Sequence, residues 1–513
     1  MTQTESEKYL TNLCRRSFLS LWSHPNVFTD EGRIGNKGSG RELCDLLVVF
    51  GNDVIIFSDK HCVYKDTGDT FVDWPRWYRR AVRASFRQLY GAEAWLRRFP
   101  KRLYVNSNCT TPFPLKIPSG VETRFHRIAV TKGSLDPCQQ FFGGKSLGSL
   151  RISTDPTAGT AGYFPFTVHV GEPGKPFVHV FDEYTLDVLF AELDTVADFL
   201  AYLGKKEQFL AGSDRVVSVD GDEQMLGVYL KKLNAAGEHD IVFADEIPAN
   251  VDFVHLQEGI WEEVSVSPQL RAKRDADRIS YAWDRLIEHL ANNAQAPPEG
   301  LGTKPESYAD GLELALRTMA AESRLSRRQL AAALIDVRER SGPRSAYARV
   351  LMSDSFRDTA YVFLAEPRPP QESYADYRNY RLARLSAYCK VAPLKAPNAR
   401  QVIGIAFDSV DPSRRGGSED VAYLEVGERT LEMEQEAREI QKQFGILQDA
   451  NVQQMHVRGQ EYPDSPADAL RIEVESEQRD RAQAAKTRAR EKAKKKWKET
   501  IRRLSKARNR RKR

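Results

Sequence analysis

The sequence predicts an α/β N-terminal core, with a mixed sheet flanked by helices, followed by an α+β region and a mainly helical region. Two apolar β-forming runs lie between helix-period segments near the N-terminus. Over residues 150–292 strands are predicted at 166–170, 177–182 and 240–244. They mix with helical segments, of which the longest is predicted at 185–210. Beyond residue 307 the chain is rich in Ala, Leu and Arg, which favour helices, and helices are predicted at 313–339, 345–351 and 373–389. Together these patterns predict an α/β arrangement that becomes helical toward the C-terminus.

The N-terminal elements follow in the order α-β-β-α-β-β. Residues 4–22 have helical apolar spacing, with acids near the start, where the helix dipole favours them. The runs LLVVF and VIIF flank a Gly-Asn-Asp turn at 51–53, which predicts a hairpin. Residues 73–99 keep a helical period with arginines on the other face. Strands are predicted at 102–106 and 124–132.

The whole chain, at 513 residues, is too long for a single core. A Pro- and Gly-containing stretch at 293–307 is the best candidate boundary. One isolated strand is predicted in the helical half, at 401–408. The predicted regions are a core at 1–149, an α+β region continuing or abutting it at 150–292, a mainly helical domain at 308–460, and a linker with a basic helical tail at 461–513.

Composition excludes several classes of protein. No apolar run approaches the ~20 residues needed to span a bilayer, and the N-terminus lacks the apolar stretch of a signal peptide. The six cysteines are scattered, without a CxxC motif or a histidine at zinc spacing. We therefore expect a cytoplasmic protein with reduced thiols and no membrane span.

The positive charge is concentrated in the C-terminal tail. Residues 479–513 contain 18 Lys or Arg against three acids, a local charge of +15, so the rest of the chain carries −10 of the total +5. Such a tail binds nucleic acid through counterion release. A membrane-surface or ribosome-associated helix, or a merely solvated tail, fits the same composition.

The hairpin sequence carries the polar residues that point to chemistry. The stretch ELCDLLVVFGNDVIIFSDK, residues 42–60, places Glu42 and Asp45 on its first strand and Lys60 at the end of its second. Carboxylate oxygens are what Mg²⁺ prefers, and a neighbouring lysine can orient a nucleophile. This stretch and its flanking helices, over residues 4–105, resemble the PD-(D/E)XK (restriction endonuclease-like) nuclease superfamily.

The resemblance implies a role for each polar residue. Glu42 matches the accessory glutamate, Asp45 the aspartate that opens the second strand, and Lys60 the lysine of the acid-x-Lys motif. The implied cofactor is Mg²⁺ or Mn²⁺, and the implied activity is phosphodiester hydrolysis on DNA in preference to RNA. Bacterial restriction or antiviral defence would be the role, with a homo-oligomer or a defence-system protein as partner.

Ser58 departs from the family pattern, because an acid is expected two residues before Lys60. A two-residue turn would set Asp45 opposite Ser58, so that Ser58 and Lys60 face the metal and one ligand is missing. A three-residue turn would set Asp45 opposite Asp59, which restores two carboxylates but turns Lys60 away. Both strands are apolar on both faces, so the pattern leaves the register open. The resemblance favours the first register, with Ser58 or water standing in and Glu42 compensating.

Basic side chains are the candidates for nucleic-acid contact. Those on the helix after the hairpin would contact phosphates, which positions a substrate without reading its sequence. The candidates are Arg79, Arg80, Arg83 and Arg87 on that helix, and Lys494, Lys495, Lys496, Arg502 and Arg503 in the tail. A solvated helix face would show the same pattern.

Less specific interpretations stay open. The hairpin fits any buried α/β sheet, with Asp45 and Lys60 as strand-end polar residues. A catalytically degenerate nucleic-acid-binding protein and an assembly or partner-binding factor are the two alternative functions. His61 could serve as a general base. The other histidines are not spaced as metal ligands are, and no GxGxxG, P-loop or GxSxG motif occurs.

Overall fold

The protein is described by a computed structural model. It covers residues 4–33, 37–144, 146–160, 162–212, 215–234, 238–241, 251–293, 305–411, 417–448 and 460–463. The chain divides into two units, one of residues 1–265 and 277–459, the other of residues 266–276 and 460–513. Within the described part of the second unit, the Lys273 ammonium lies 3.9 Å from a Glu461 carboxylate oxygen. The boundary predicted at 293–307 falls within the first unit.

The N-terminal segment contains the predicted hairpin between helices. Its elements are α1 Glu5–Phe18, β1 Ser23–Thr29, β2 Arg41–Phe50, β3 Asp53–His61, α2 Thr70–Tyr78, α3 Ala84–Arg98, β4 Leu103–Tyr104 and β5 Arg124–Lys132. A π-helical turn, Arg79–Arg83, joins α2 to α3. The first helix begins with a capping box between Thr4 and Glu7. β1 was not predicted, because Pro25 and Asn26 interrupt its alternation.

The middle segment alternates short strands and helices. Its elements are α4 Leu135–Phe141, β6 Arg151–Ser153, β7 Thr167–His169, β8 His179–Asp182, α5 Glu183–Glu192, α6 Val196–Ala211, β9 Val216–Val219, α7 Asp222–Lys231 and β10 Phe253–Leu256. The single long helix predicted from residue 185 is two helices. The second begins at the Thr195 cap, whose side chain accepts from the Asp198 backbone N–H. Most of the strand predicted at 240–244 lies outside the described residues.

The C-terminal segment contains more strands than the sequence predicted. Its elements are α8 Ile260–Ser265, α9 Pro268–Asp277, α10 Tyr281–Asn293, α11 Pro305–Ala320, α12 Arg324–Arg340, β11 Tyr347–Met352, β12 Thr359–Glu366, α13 Tyr374–Lys395, β13 Gln401–Asp408, β14 Glu419–Glu425 and α14 Leu431–Phe444. The strand predicted at 401–408 is present as β13, but it is not isolated, because it pairs with β12 and β14. The helix predicted at 345–351 was wrong, since most of that stretch forms strand β11. Every residue of β12 is buried, so its apolar run has no alternation to separate it from a buried helix.

The first sheet has six strands in the order β4-β1-β2-β3-β5-β8. The strands β1, β2 and β3 form an antiparallel meander. β5 then pairs parallel to β3, and β8 pairs parallel to β5. A parallel neighbour requires a crossover, which α2 and α3 supply. The predicted mixed sheet with flanking helices is therefore confirmed as a general class.

Two four-stranded sheets complete the first unit. Their orders are β10-β9-β6-β7 and β11-β12-β13-β14. The second of these packs against α13 around an apolar core that includes Val362, Leu385, Val391 and Val402. Gly404 of β13 allows this close approach, because a Cβ there would lie 2.5 Å from Cys389 Sγ. No described helix has the length and hydropathy required to cross a bilayer.

Buried ion pairs join the C-terminal helices to the middle segment. The Arg324 guanidinium donates to Asp194 at 2.8 Å and to Asp284 at 2.7 Å. Arg327 donates to the other oxygen of Asp284 at 2.7 Å. Both arginines are almost fully buried, so these contacts specify how α12 meets α10 and the start of α6.

Candidate functional site

The turn between β2 and β3 determines which polar side chains of the hairpin share a face. Phe50 pairs with Asp53, so Gly51 and Asn52 alone form the turn. Of these two, only Gly51 has a positive φ, at 58°. A glycine with positive φ at the first central position is typical of a type II′ hairpin turn. The structure therefore has the two-residue turn.

This turn aligns Asp45 with Ser58. The paired residues extend to Leu46 opposite Phe57, and one further step sets Asp45 opposite Ser58. Opposed residues on antiparallel strands project to the same face, and alternate residues along a strand share a face. The side chains of Asp45, Ser58 and Lys60 consequently belong to one face, which also carries α3.

A β-bulge brings Glu42 to the same face. Val27 pairs with Cys44, but the next residue, Phe28, pairs with Glu42, so Leu43 is the extra residue of the bulge. Phe28 projects to the face opposite that of Val27, and its partner Glu42 projects with it. The neighbouring residues Cys44 and Asp45 also project to opposite faces, so Asp45 lies on the face of Glu42. The bulge thus places Glu42 and Asp45 on one side, where regular alternation would have separated them.

The Asp45 carboxyl group is buried, with an exposed fraction of 6% for the residue. One of its oxygens accepts a hydrogen bond from the backbone N–H of Asp59 at 2.6 Å. Burial raises the pKa of Asp45 to about 6, while the positive charge of Lys60 acts to lower it. Burial also raises the pKa of Glu42, whose carboxylate accepts a hydrogen bond from Asn26 Nδ2 at 3.1 Å.

Asp59 lies on the opposite face, against α1. Its carboxylate accepts a hydrogen bond from Ser6 Oγ at 2.5 Å and lies 3.4 Å from the Lys132 ammonium. That ammonium is 5.3 Å from the centroid of the Tyr9 ring. The register in which Asp59 joins Asp45 as a catalytic residue and metal ligand is therefore not the observed one. Asp59 forms a buried ion pair behind the sheet instead.

Ser58 connects the sheet to α3 at the position where an acid was expected. Its hydroxyl donates to Gln88 Oε1 at 3.0 Å and lies 3.1 Å from Ser85 Oγ. Ser85 in turn donates to the Ala81 carbonyl at 2.8 Å. Ser58 is fully buried, so its hydroxyl is occupied by contacts within the protein.

The four candidate arginines of the following helix are all exposed around the π-helical turn. Arg80 donates to the Val63 carbonyl at 3.0 Å, and the Arg83 guanidinium lies 5.8 Å from the Tyr78 ring centroid. π-Helical turns occur frequently at functional sites. His61, at the end of β3, is exposed as well. The candidate basic residues of the tail, 494–496 and 502–503, lie outside the described residues.

The oxygen donors at this end of the hairpin suit a hard divalent cation. Asp45 and Glu42 supply two carboxylates, and the Glu42 charge adds to the rise in the pKa of Asp45. A cation beside them would relieve both the burial and the repulsion. Mg²⁺ takes oxygen ligands and keeps several waters, so two carboxylates suffice. The donor set therefore fits Mg²⁺ or Mn²⁺.

A second cluster escaped the sequence analysis. Ring nitrogens of His126 and His179 and a carboxylate oxygen of Glu207 lie within 4.8 Å of one another. The sequence predicted no metal grouping among the histidines, because these two are far apart along the chain. The prediction was incomplete, since the parallel pairing of β5 with β8 brings them together. The signal in the sequence was one histidine on each of two predicted strands, 124–132 and 177–182.

Comparisons with protein-family models, with curated proteins and with solved structures found no match.

Proposed function

We propose that the protein is a metal-dependent phosphodiesterase that cleaves nucleic acid, DNA in preference to RNA. The hairpin register is the observation that supports this function. It aligns Asp45 with the strand that ends in Lys60, and the bulge adds Glu42 on the same side. A buried carboxylate with a lysine charge beside it is costly for stability, and such arrangements cluster at functional sites.

The order of elements around the hairpin supports the same function. A helix, a three-stranded antiparallel meander, a helical crossover and a parallel strand follow in sequence. This order agrees with the resemblance to PD-(D/E)XK nucleases that residues 42–60 suggest. The exposed arginines beside the π-helical turn and the tail of charge +15 suit an anionic polymer as substrate.

Each residue of the hairpin site has a role in this mechanism. Asp45 and Glu42 would hold Mg²⁺ or Mn²⁺, which supplies a more acidic water and neutralises charge that develops on the phosphate. Lys60 positions the attacking water and stabilises the negative charge of the transition state. The exposed arginines Arg83 and Arg87 hold the phosphate backbone in register without reading bases.

A second function is favoured by one observation. Ser58 stands where a nuclease of this type has an acid, and its hydroxyl is bonded to Gln88 rather than open. The acid next to it, Asp59, faces α1. A protein with one ligand fewer can bind nucleic acid through its basic side chains without cutting it. A role in bacterial restriction or antiviral defence, with a homo-oligomer or defence partner, belongs to either function and rests on the family resemblance alone.

Asp45 and Asp59 provide the matched test, because their carboxylates lie on opposite faces of the same sheet. Purified protein is incubated with supercoiled plasmid and either Mg²⁺ or Mn²⁺, alongside Asp45→Asn, Lys60→Met and Asp59→Asn. We expect Asp45→Asn and Lys60→Met to lower the cleavage rate by about 10²–10³-fold. Asp59→Asn should keep its rate per folded molecule, because its side chain lies against α1.

The outcomes separate the two functions. Metal-dependent nicking that Asp45→Asn abolishes supports the phosphodiesterase. A plasmid mobility shift that neither metal nor Asp45→Asn changes, without nicking, supports binding alone. Loss of cleavage in Asp59→Asn, with Asp45→Asn unaffected, would contradict the proposed site.

A further inference from the structure

His126, His179 and Glu207 form a compact group on the face of the first sheet that carries α1 and α6. Ile128 of β5 pairs with Phe57 of β3, and the Phe57 ring packs 6.3 Å from that of Phe18 in α1. His126 is two residues before Ile128 on β5. His179 of β8 pairs with Ile128. All of these side chains therefore project to one face. It is the opposite face from Ser58 and Lys60.

Both histidines are deeply buried and each has an unused ring nitrogen. The exposed fractions are 9% for His126 and 1% for His179. Within the described part of the chain, Nδ1 of each ring is buried and has no hydrogen-bond partner. Buried polar atoms are normally satisfied, and each exception calls for an explanation such as an ion. The carboxylate of half-buried Glu207 lies beside these two rings.

Asp53 determines which nitrogen of His126 carries the proton. His126 Nε2 lies 2.9 Å from Asp53 Oδ1, and the Arg124 guanidinium also donates to both oxygens of Asp53 at 2.6–2.8 Å. The Asp53 carboxylate thus forms an ion pair with the Arg124 guanidinium. The ionised carboxylate only accepts, so Nε2 donates and Nδ1 keeps its lone pair.

A carboxylate that fixes the tautomer of a histidine is the arrangement found around metal-bound histidines. His179 is almost fully buried, and within the described residues its Nδ1 has no hydrogen-bond partner. The nearby Lys206 ammonium pairs with the Asp222 carboxylate, which balances the charge next to Glu207. Two imidazoles and one carboxylate thus lie together, and they offer three ligand atoms.

We infer that His126, His179 and Glu207 bind a divalent transition-metal ion, Zn²⁺, in a site distinct from the one at Asp45. Imidazole nitrogen suits Zn²⁺ rather than Mg²⁺, which selects oxygen. Two histidines and a glutamate are one of the known three-ligand zinc sets, with water in the fourth position. Metal–ligand bonds of about 2.0–2.1 Å would draw the three atoms to roughly 3.4 Å apart. Glu207 is the most exposed of the three residues, so its side chain has the most freedom to move.

The ion would join three elements that are distant in sequence, β5, β8 and α6. This inference is independent of the proposed nuclease activity, because none of the three residues lies on the face of Asp45. Binding of Zn²⁺ and cleavage of nucleic acid can therefore succeed or fail separately.

Direct titration tests the site. The full chain, freed of any histidine tag and stripped of metal with a chelator, is titrated with Zn²⁺ against a chromophoric chelator. We expect one Zn²⁺ per chain, with affinity at least tenfold weaker in Glu207→Gln and in His179→Gln. Co²⁺ should give the visible absorption of a four-coordinate ion in the wild type, and this absorption should be absent from both variants.

Two variants serve as controls. Asp45→Asn removes the other candidate ligand set, and His255→Gln removes a histidine that bonds an aspartate, Asp220, elsewhere. Both should bind Zn²⁺ as tightly as the wild type. Because His179 is fully buried, the metal-free melting temperature of each variant is compared first. Glu207→Gln keeps the shape of the side chain at a partly exposed position, so without metal it should have the melting temperature of the wild type. It should lose only the rise in melting temperature that Zn²⁺ produces.

The absence of stoichiometric Zn²⁺ binding to the wild type would overturn the inference. Undiminished binding by both Glu207→Gln and His179→Gln would overturn it as well. Loss of binding in Asp45→Asn with retention in Glu207→Gln would assign the ion to the hairpin site instead.

Discussion

Ser58 is the residue on which the chemistry of the hairpin depends. Its neighbours on the same face, Asp45 and Lys60, have the types that metal-dependent hydrolysis requires. Ser58 instead offers a neutral hydroxyl that is bonded to Gln88. A carboxylate at this position would complete the family pattern.

Ser58→Asp should therefore couple metal binding to stability. Without metal, we expect the variant to lose about 3–5 kcal/mol of unfolding free energy, because a buried charge would lack a partner. Mg²⁺ should restore much of this loss, and it should raise the melting temperature of the variant more than that of the wild type. Thermal denaturation at increasing Mg²⁺ concentration measures both effects.

Ser58→Asn is the matched control, since it has the same shape without the charge. Its melting temperature should respond to Mg²⁺ no more than that of the wild type. An equal response of Ser58→Asp and Ser58→Asn would show that the cation does not bind beside Asp45.

Strand pairing decided which acids share the face of Asp45. Spacing alone left the face of Asp59 open, and the family resemblance favoured Glu42 as the compensating acid. The two-residue turn at Gly51 turns Asp59 toward α1, and the extra residue Leu43 turns Glu42 toward Asp45. Both outcomes follow from one-residue changes in register, which reverse the face of every side chain beyond them.

Among the helices, α12 shows how buried charge organises the C-terminal half. Arg324 lies near its N-terminus, and its guanidinium meets Asp194, Asp284 and Ser280. Arg340, near the other end, is exposed and forms an i,i+4 pair with Asp336. These two arginines of the same helix therefore differ in burial, since Arg324 is buried and Arg340 is exposed.

Replacement of these two arginines should have very different effects. Arg324→Ala leaves Asp194 with an uncompensated buried charge, so we expect a loss of about 3–5 kcal/mol in unfolding free energy. Arg340→Ala should change it by no more than about 1 kcal/mol, as for most surface pairs. Urea denaturation followed by circular dichroism measures both. Similar small losses of unfolding free energy for the two variants would show that the Arg324 contacts do not stabilise the fold.

Across the first unit, several carboxyl groups are buried in ways that oppose ionisation. Burial raises the pKa of Glu223 to about 8, and the neighbouring Asp182 charge adds to the rise. Burial also raises the pKa of Asp182 to about 6. Glu223 is protonated more readily in the folded than in the unfolded chain. Its contribution to stability is therefore complete below its unfolded pKa and is lost as the pH rises to about 8.

Glu223→Gln should flatten the pH dependence of stability. The amide stays neutral, so the variant should not lose stability between pH 5 and pH 8, where the wild type loses up to about 1.4 kcal/mol per pH unit from this group. Melting temperatures across this range measure the slope. Glu263→Gln, at an exposed position of α8, should follow the wild-type profile. A Glu223→Gln profile as steep as the wild type would contradict the assignment.

Local signals were enough to predict the first helix, the hairpin, the strand at 124–132 and the candidate pair of Asp45 and Lys60. Each depends on periodicity or turn chemistry within about 20 residues, and such signals act on the chain before any long-range contact forms. The general class, a mixed sheet flanked by helices, followed from the order of these elements. The C-terminal sheet did not, because strands buried on both faces have no alternation to read.

Long-range contacts decided the rest. The hairpin register, the bulge at Leu43 and the meeting of His126 with His179 all depend on which strands pair and in what alignment. Sequence spacing does not specify that alignment where both faces of a strand are apolar, since the packing energy is then almost the same for either register. The sequence therefore showed which types of residue could do chemistry, whereas the pairing of strands grouped them into two candidate sites on opposite faces of one sheet.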